Sequence, residues 1–387
     1  MKYYLLILIL FLGCSKPSSI VEIKELVIEV EEPFSLNMSS IVDTCFFVPI
    51  DSKSLIGEVS ELEIGKEHLV LLDQAVSKKI IIIDWFGNVK ATISDFGEGP
   101  GKYRIPRNLN LIEDQRKLVF YDDSGPKVMY YSLEGQFEKE VSISGLGQLN
   151  DLKFEGGKFW AYLRSGDFKR GDAIKYFDLD FSREIHALAP IDLMGWPSDH
   201  GIQHSIFRQL DSEKSYFQIN STPDLIEFDS DGLLNHFRIR FSQRGLDYSN
   251  KNINPYDFLH YSRAKELIYL GPNHVDLGEF ILLDLVDSGL GSMAILDKKK
   301  ERGRKLSQLK NDLSLMMNFS GIPGSYINQP GYMVLVMPYG QFAAIREKLD
   351  WKGNSYQEIV WKVNSDDPES LVLLIYKLKS KMDISLD

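Results

Sequence analysis

His200 and His204 are the pair of residues whose spacing best suits metal chemistry in this sequence. On a helix, positions four apart share one face, and two neutral imidazoles there would suit zinc. The local sequence Pro197-Ser198-Asp199-His200-Gly201 instead reads as loop, and no Glu follows His200 as it would in His-Glu-x-x-His. Trp196, held between Gly195 and Pro197, is the aromatic residue best placed to stack on a ligand. Trp196, His200 and His204 are therefore expected to face a ligand, without a metal site being assigned to them.

The run Phe96-Gly97-Glu98-Gly99-Pro100-Gly101-Lys102-Tyr103 invites a phosphate reading. A P-loop needs Ser or Thr after its Lys, and here Tyr103 follows Lys102. A dinucleotide turn needs Gly-x-Gly-x-x-Gly opening a helix, and here the spacing is Gly-x-Gly-x-Gly ahead of strand-like runs. The glycines and Pro100 are expected to shape a crossover between sheets. At least one of Gly97, Gly99 and Gly101 should take a positive φ, while Gly99, next to Pro100, should be extended. Asp178 with Asp180, and Asp229 with Asp231, offer carboxylates of the kind calcium prefers. They also occupy turn positions, where Asp favours the turn itself. No Ser-His-Asp or Cys-His set can be assembled from spacing.

The elements around these residues repeat. An apolar run, a tight turn and a charged strand recur at Ile80–Lys90, Val128–Phe137, Ile174–Phe181, Leu225–Leu234 and Ser292–Lys299. The turn positions 87, 135, 181 and 232 are 48, 46 and 51 residues apart, which is the length of one four-stranded propeller blade. Glu25–Glu31 alternates apolar and polar, as a half-buried strand does. The longer gap before the fifth copy predicts an insertion at about 240–276. Gln341–Leu349 and Ser355–Val363 have helical spacing, and Ser355-Tyr356-Gln357-Glu358 matches a capping box. Ser370–Leu378 is a long apolar strand expected to pair with N-terminal strands and close the ring.

A net charge of −11 argues against nucleic acid, whose binding needs clustered cations. The basic run Lys298–Lys305 fits a solvated hairpin tip. The first residues read as a secretory signal: Lys2, then an apolar stretch Tyr3–Leu12, too short to span a bilayer. Cys45, in an apolar run, is expected to be a buried free thiol.

Phe11-Leu12-Gly13-Cys14 resembles a bacterial lipobox, with Phe11 where Leu is usual. The resemblance implies lipidation of Cys14, loss of residues 1–13 and a tether over 14–24. Phe96–Val141 resembles an NHL repeat, and the mature chain resembles the six-bladed β-propeller lipoproteins of Gram-negative bacteria, a family largely of unknown function. Four places carry this: Val48-Pro49-Ile50 through Gly57-Glu58, the glycine run, Leu309–Asp312 with Ser325-Tyr326-Ile327, and Leu371–Lys379. After Asp312 the chain departs from the family's Gly-Gly-Pro-aromatic stretch, reading Leu313-Ser314-Leu315-Met316-Met317-Asn318-Phe319.

The expected protein is all-β: a six-bladed propeller over 25–387 whose last blade is closed by N- and C-terminal strands and carries a helical insertion near 341–364. The resemblance implies a cell-envelope lipoprotein, and the missing acidic run after Cys14 points to the periplasmic side of the outer membrane. Its expected role is that of a non-catalytic binding or scaffold module with a protein or carbohydrate ligand. The alternative is a metal-dependent propeller enzyme of the lyase or lactonase type, with calcium or zinc in the central channel.

Overall fold

A computed structural model describes residues 21–50, 56–146, 148–163, 170–171, 173–188, 191, 207–209, 214–218, 222–229, 231–247, 258–313, 318–322, 330–348, 363, 365, 367–382, 384 and 386. Two N-terminal strands, β1 (Ile23–Asn37) and β2 (Val42–Pro49), precede the repeating part. Blade 1 is β3 (Glu61–Ile64), β4 (His68–Asp73), β5 (Lys79–Asp84) and β6 (Val89–Ile93). Blade 2 is β7 (Pro106–Ile112), β8 (Lys117–Asp122), β9 (Lys127–Ser132) and β10 (Phe137–Ser142). Blade 3 is β11 (Leu149–Glu155), β12 (Lys158–Leu163), β13 (Ile174–Phe177) and β14 (Glu184–Ala187). Blade 4 is β15 (Phe207–Gln209), β16 (Lys214–Phe217), β17 (Asp224–Asp229) and β18 (Gly232–Phe241). The expected insertion follows and contains α1 (Phe258–Ala264). In blade 5, β19 (Ile268–Leu270) and β20 (Val275–Leu277) both pair with β21 (Phe280–Asp287), which continues to β22 (Leu290–Asp297) and β23 (Arg302–Lys310).

Blade 6 joins the two ends of the chain. Its strands are β24 (Tyr332–Pro338), β25 (Leu371–Leu378) and β2, with β25 antiparallel to both neighbours. The helical insertion is α2 (Tyr339–Lys348), between β24 and β25. Residues 349–362, which hold the Ser355 capping box, lie outside the described residues. β1 does not join this blade. It runs parallel to both β18 and β23, so blades 4 and 5 share one ten-stranded sheet. Ile23 and Lys24, at the end of the expected 14–24 tether, belong instead to β1.

The uninterrupted apolar runs follow from burial on both faces of each blade. Ile80 and Ile82 enter the core between blades 1 and 2, with Tyr103, Phe120 and Tyr131. Ile81 and Ile83 point the other way, to Val334 and Leu373 of blade 6. β9 alternates in the same manner, with Met129 and Tyr131 in the first of those cores and Val128 and Tyr130 in the core with blade 3. Similar cores join blades 3 to 4, 4 to 5 and 5 to 6, so they run around the ring. Each such side chain contributes about 1.5–3 kcal/mol relative to exposure. Cys45 is a buried free thiol in the last of these, and burial pushes its pKa up to about 12.

The five repeated turns join third and fourth strands, and each has a side-chain cap. Asp84 Oδ1 accepts the Phe86 and Asn88 N–H groups, both at 2.9 Å. Ser132, Asp178, Asp229 and Asp297 accept from their own turns likewise. The carboxylates of Asp178 and Asp229 are thus engaged by backbone amides, and Asp180 pairs with Lys139. Lys298–Lys300 form the tip between β22 and β23.

Candidate functional site

The glycine run forms the crossover from β6 to β7. Gly97 N–H donates to the Tyr103 carbonyl (2.9 Å) and Tyr103 N–H to that of Asp95 (3.1 Å), closing the run into a loop. Tyr103 is fully buried, and its hydroxyl donates to the carbonyls of Lys78 (2.9 Å) and Ile93 (3.0 Å). The Tyr131 hydroxyl donates to the Gly101 carbonyl at 2.9 Å. Gly97, Gly99 and Gly101 have φ of 150°, 108° and 71°. Gly99 is therefore not in the extended region expected before Pro100. Glycine lacks the Cβ that imposes that restriction on other residues, so it enters the mirror-image region. A Cβ on Gly101 would also lie 3.2 Å from the Phe137 ring.

The densest polar arrangement is elsewhere, on the channel wall. The innermost strands β3, β7, β11, β15 and β20 adjoin one another around the ring axis. β7 bulges between Arg107 and Asn110, with Asn108 at φ 56°. Glu61 of blade 1 clamps the bulge, accepting the N–H groups of Asn108 (2.9 Å) and Leu109 (2.8 Å). Asn108 Nδ2 donates to Asp151 of blade 3 at 2.7 Å. Asn110 Nδ2 donates to the Leu152 carbonyl (3.2 Å), while its Oδ1 accepts the Phe154 N–H (2.6 Å). Lys153 of blade 3 pairs with Glu63 of blade 1 at 2.5 Å. Arg107 reaches the Leu149 carbonyl (2.7 Å) and Asp123 (3.0 Å).

Electrostatics single out Glu61. Burial raises its pKa most, the charges of Asp151 and Glu63 raise it further, and the two amides oppose them without prevailing. The result is a carboxyl pushed up to about 7. Such a group can exchange a proton near neutrality, and beside it Glu63 and Lys153 are partly exposed while Asn108, Asn110 and Asp151 are buried. Among the described residues, no three His, Cys, Asp or Glu side chains come together closely enough to hold a metal ion.

A cleft of about 380 Å³ opens beside the wall, lined by Lys66, Leu111, Glu113, Phe154 and Tyr332 among others. Glu113 accepts the N–H groups of Lys66 (2.6 Å), Glu67 (2.9 Å) and His68 (3.1 Å) and contacts His68 Nδ1 (3.0 Å). Burial works against its ionisation, yet these bonds outweigh it and hold its pKa below the usual value.

Cys14, Trp196, His200 and His204 lie outside the described residues. Sequence reasoning missed Glu61, Glu63, Asn108, Asn110, Asp151 and Lys153. A signal existed: polar residues interrupt the apolar runs at Arg107-Asn108-Leu109-Asn110 and Asn150-Asp151-Leu152-Lys153. A second missed device is an Asp closing the second strand of a blade. Asp73 accepts the Gly57 and Val76 N–H groups, both at 2.8 Å, and Asp122 accepts that of Ile105 at 2.9 Å. Its signal is two apolar residues and then Asp, as in Leu71-Leu72-Asp73 and Phe120-Tyr121-Asp122.

The model of the DUF5128 family, described as a 6-bladed beta-propeller, matches residues 17–320. The chain belongs to this family. Among solved structures, an exported protein of Bacteroides fragilis is similar in fold, with a TM-score of 0.63 and 14% identity over 92% of this chain and 100% of that one. A member of the DUF4221 family from Bacteroides vulgatus has a TM-score of 0.51 and 11% identity, over 87% of this chain and 97% of the other. At these identities the likeness concerns fold alone. No curated protein matches the chain.

Proposed function

We propose that this propeller is a lipid-anchored binding module of the cell envelope, held at Cys14 in the outer membrane on the periplasmic side. Its ligand is a protein or carbohydrate, bound and not transformed. The observation that carries the binding reading is the channel wall of blades 1 to 3. Asn108, Asn110 and Asp151 are buried and hydrogen-bonded across blade boundaries, which preorganises the partly exposed Glu61, Glu63 and Lys153 beside them as the polar groups that a ligand would meet. The envelope placement draws on the short apolar segment ending at Gly13-Cys14 and on the exported relative. The net charge of −11 keeps nucleic acid out of the proposal.

The anchor is tested by replacing Cys14 with Ser and fractionating cells. The variant is expected to leave the membrane fraction. A variant that stays with the membrane would show that anchoring has another cause. A second reading, the metal-dependent enzyme, has one feature in its favour: burial pushes the Glu61 pKa up to about 7, the range in which a general acid or base works.

A further inference from the structure

The described chain enters the ring at a defined place and in a defined direction. β1 runs parallel to β18, with Ile23 opposite His236 and Ile28 opposite Phe241. The start of β1 therefore points toward Gly232 and the β17–β18 turn. Turns between third and fourth strands share one rim with turns between first and second strands. In blade 1, Trp85 Nε1 donates to the Lys66 carbonyl across these two turns at 3.0 Å. In blade 5, Lys298 N–H reaches the Glu279 carbonyl at 3.0 Å. The glycine crossover and the connections holding α1 and α2 belong to the opposite rim.

Only seven residues lie between Cys14 and Glu22, so their Cα atoms are at most about 28 Å apart when the chain is fully extended. Gly232 lies three residues before Asn235 in β18, about 10 Å along the strand, so on the order of 18 Å of that reach extends beyond the turn rim. That rim carries Phe86, which is 81% exposed and the most exposed large apolar side chain described. Val89 follows three residues later, and Trp85 packs between Phe46 and Tyr332, with ring centroids 5.3 and 6.3 Å away. The Lys298–Lys300 turn lies on the same rim, with Lys299 exposed. Aromatic rings favour the headgroup region of a bilayer, and lysines favour anionic headgroups. The opposite rim also exposes Val76 (67%) and Leu290 (72%), so exposure alone chooses neither side. The direction of β1 and the short length of chain between it and Cys14 do.

We infer that the turn rim lies against the bilayer, with Phe86 and Trp85 at headgroup depth beside Lys299, and that the crossover rim faces away. This rests on the Cys14 anchor proposed above. The test uses the full-length lipidated protein carrying Phe86→Cys or Leu290→Cys, labelled with an environment-sensitive fluorophore. Burial and its raised pKa leave Cys45 unreactive, so labelling is confined to the introduced thiol. The proteins are placed in vesicles of phosphatidylethanolamine and phosphatidylglycerol containing a spin-labelled quencher lipid. Quenching is expected to be severalfold stronger at position 86 than at 290, and Val89→Cys should behave like position 86. Equal quenching, or stronger quenching at 290, in protein that floats with the vesicles overturns the orientation alone. Protein that does not float with them refutes the anchor, and the orientation with it.

Discussion

In β25 five consecutive residues, Val372, Leu373, Leu374, Ile375 and Tyr376, are apolar or aromatic and fully buried, whereas the middle of β7 is Arg107, Asn108, Leu109 and Asn110. β25 lies between two antiparallel partners and feeds the cores on both sides of blade 6. β7 is interrupted by a bulge, and Glu61 of another blade holds that bulge. Closing the ring is a matter of apolar burial in regular register. The wall of blades 1 to 3 gives up regular register to fix polar groups by bonds to other blades, and it leaves Arg107 Nε and Asn108 Oδ1 buried without a partner. The region whose buried side chains are uniformly apolar is thus the one that holds the molecule together, and the region that buries polar side chains instead is the candidate for function.

The largest expected effect comes from breaking the closure. Deleting residues 370–387 removes β25, exposes the edges of β2 and β24 and opens two cores. Soluble protein should fall sharply, and any that remains should lose its cooperative melt. A truncated chain melting like the full length would mean that the two ends do not close the ring.

Asn110→Ala acts on the other side of the comparison. It leaves the Phe154 N–H and the Leu152 carbonyl without this partner in a buried site, at a cost of about 1–3 kcal/mol. Urea unfolding measures it, and an unchanged midpoint would mean that the polar wall is not structurally fixed. Gly101→Val should cost on the order of 1 kcal/mol or more, because φ 71° and the close Phe137 ring both oppose a side chain. Thermal melts with and without added ligands should show the same loss. Unchanged stability with loss of some ligand would turn the glycine run into a binding site.

The smallest effect is a slope. Glu61 has a raised pKa in the fold, so its contribution to stability is complete below the ordinary Glu value and is lost as pH rises through about 7. Wild-type melting temperature should therefore fall relative to Glu61→Gln between pH 5 and 8. Parallel curves would place Glu61 among ordinary carboxylates.

Much of the fold was legible because the turns are local. Gly87, Gly135 and Gly232 take positive φ, as does Phe181, and each cap lies within a few residues of the amide it binds. β25 was legible from its unbroken apolar run. The site was not, because it depends on contacts between residues more than 40 positions apart, such as Glu61 with Asn108 and Asn110 with Phe154. The path of β1 was equally hidden. Alternation in Glu25–Glu31 reveals a half-buried strand, and Leu26, Ile28 and Val30 are indeed buried, but the pattern cannot name β18 and β23 as partners. The expected pairing of the C-terminal strand with the N-terminus is made by β2.

The central claim is that the channel wall binds without a metal-dependent reaction, and elemental analysis of the purified full-length protein tests it most directly. The account predicts calcium and zinc well below one equivalent per chain, unchanged in Glu61→Gln. A full equivalent of either metal that is lost in Glu61→Gln would contradict it and move the protein to the enzyme reading.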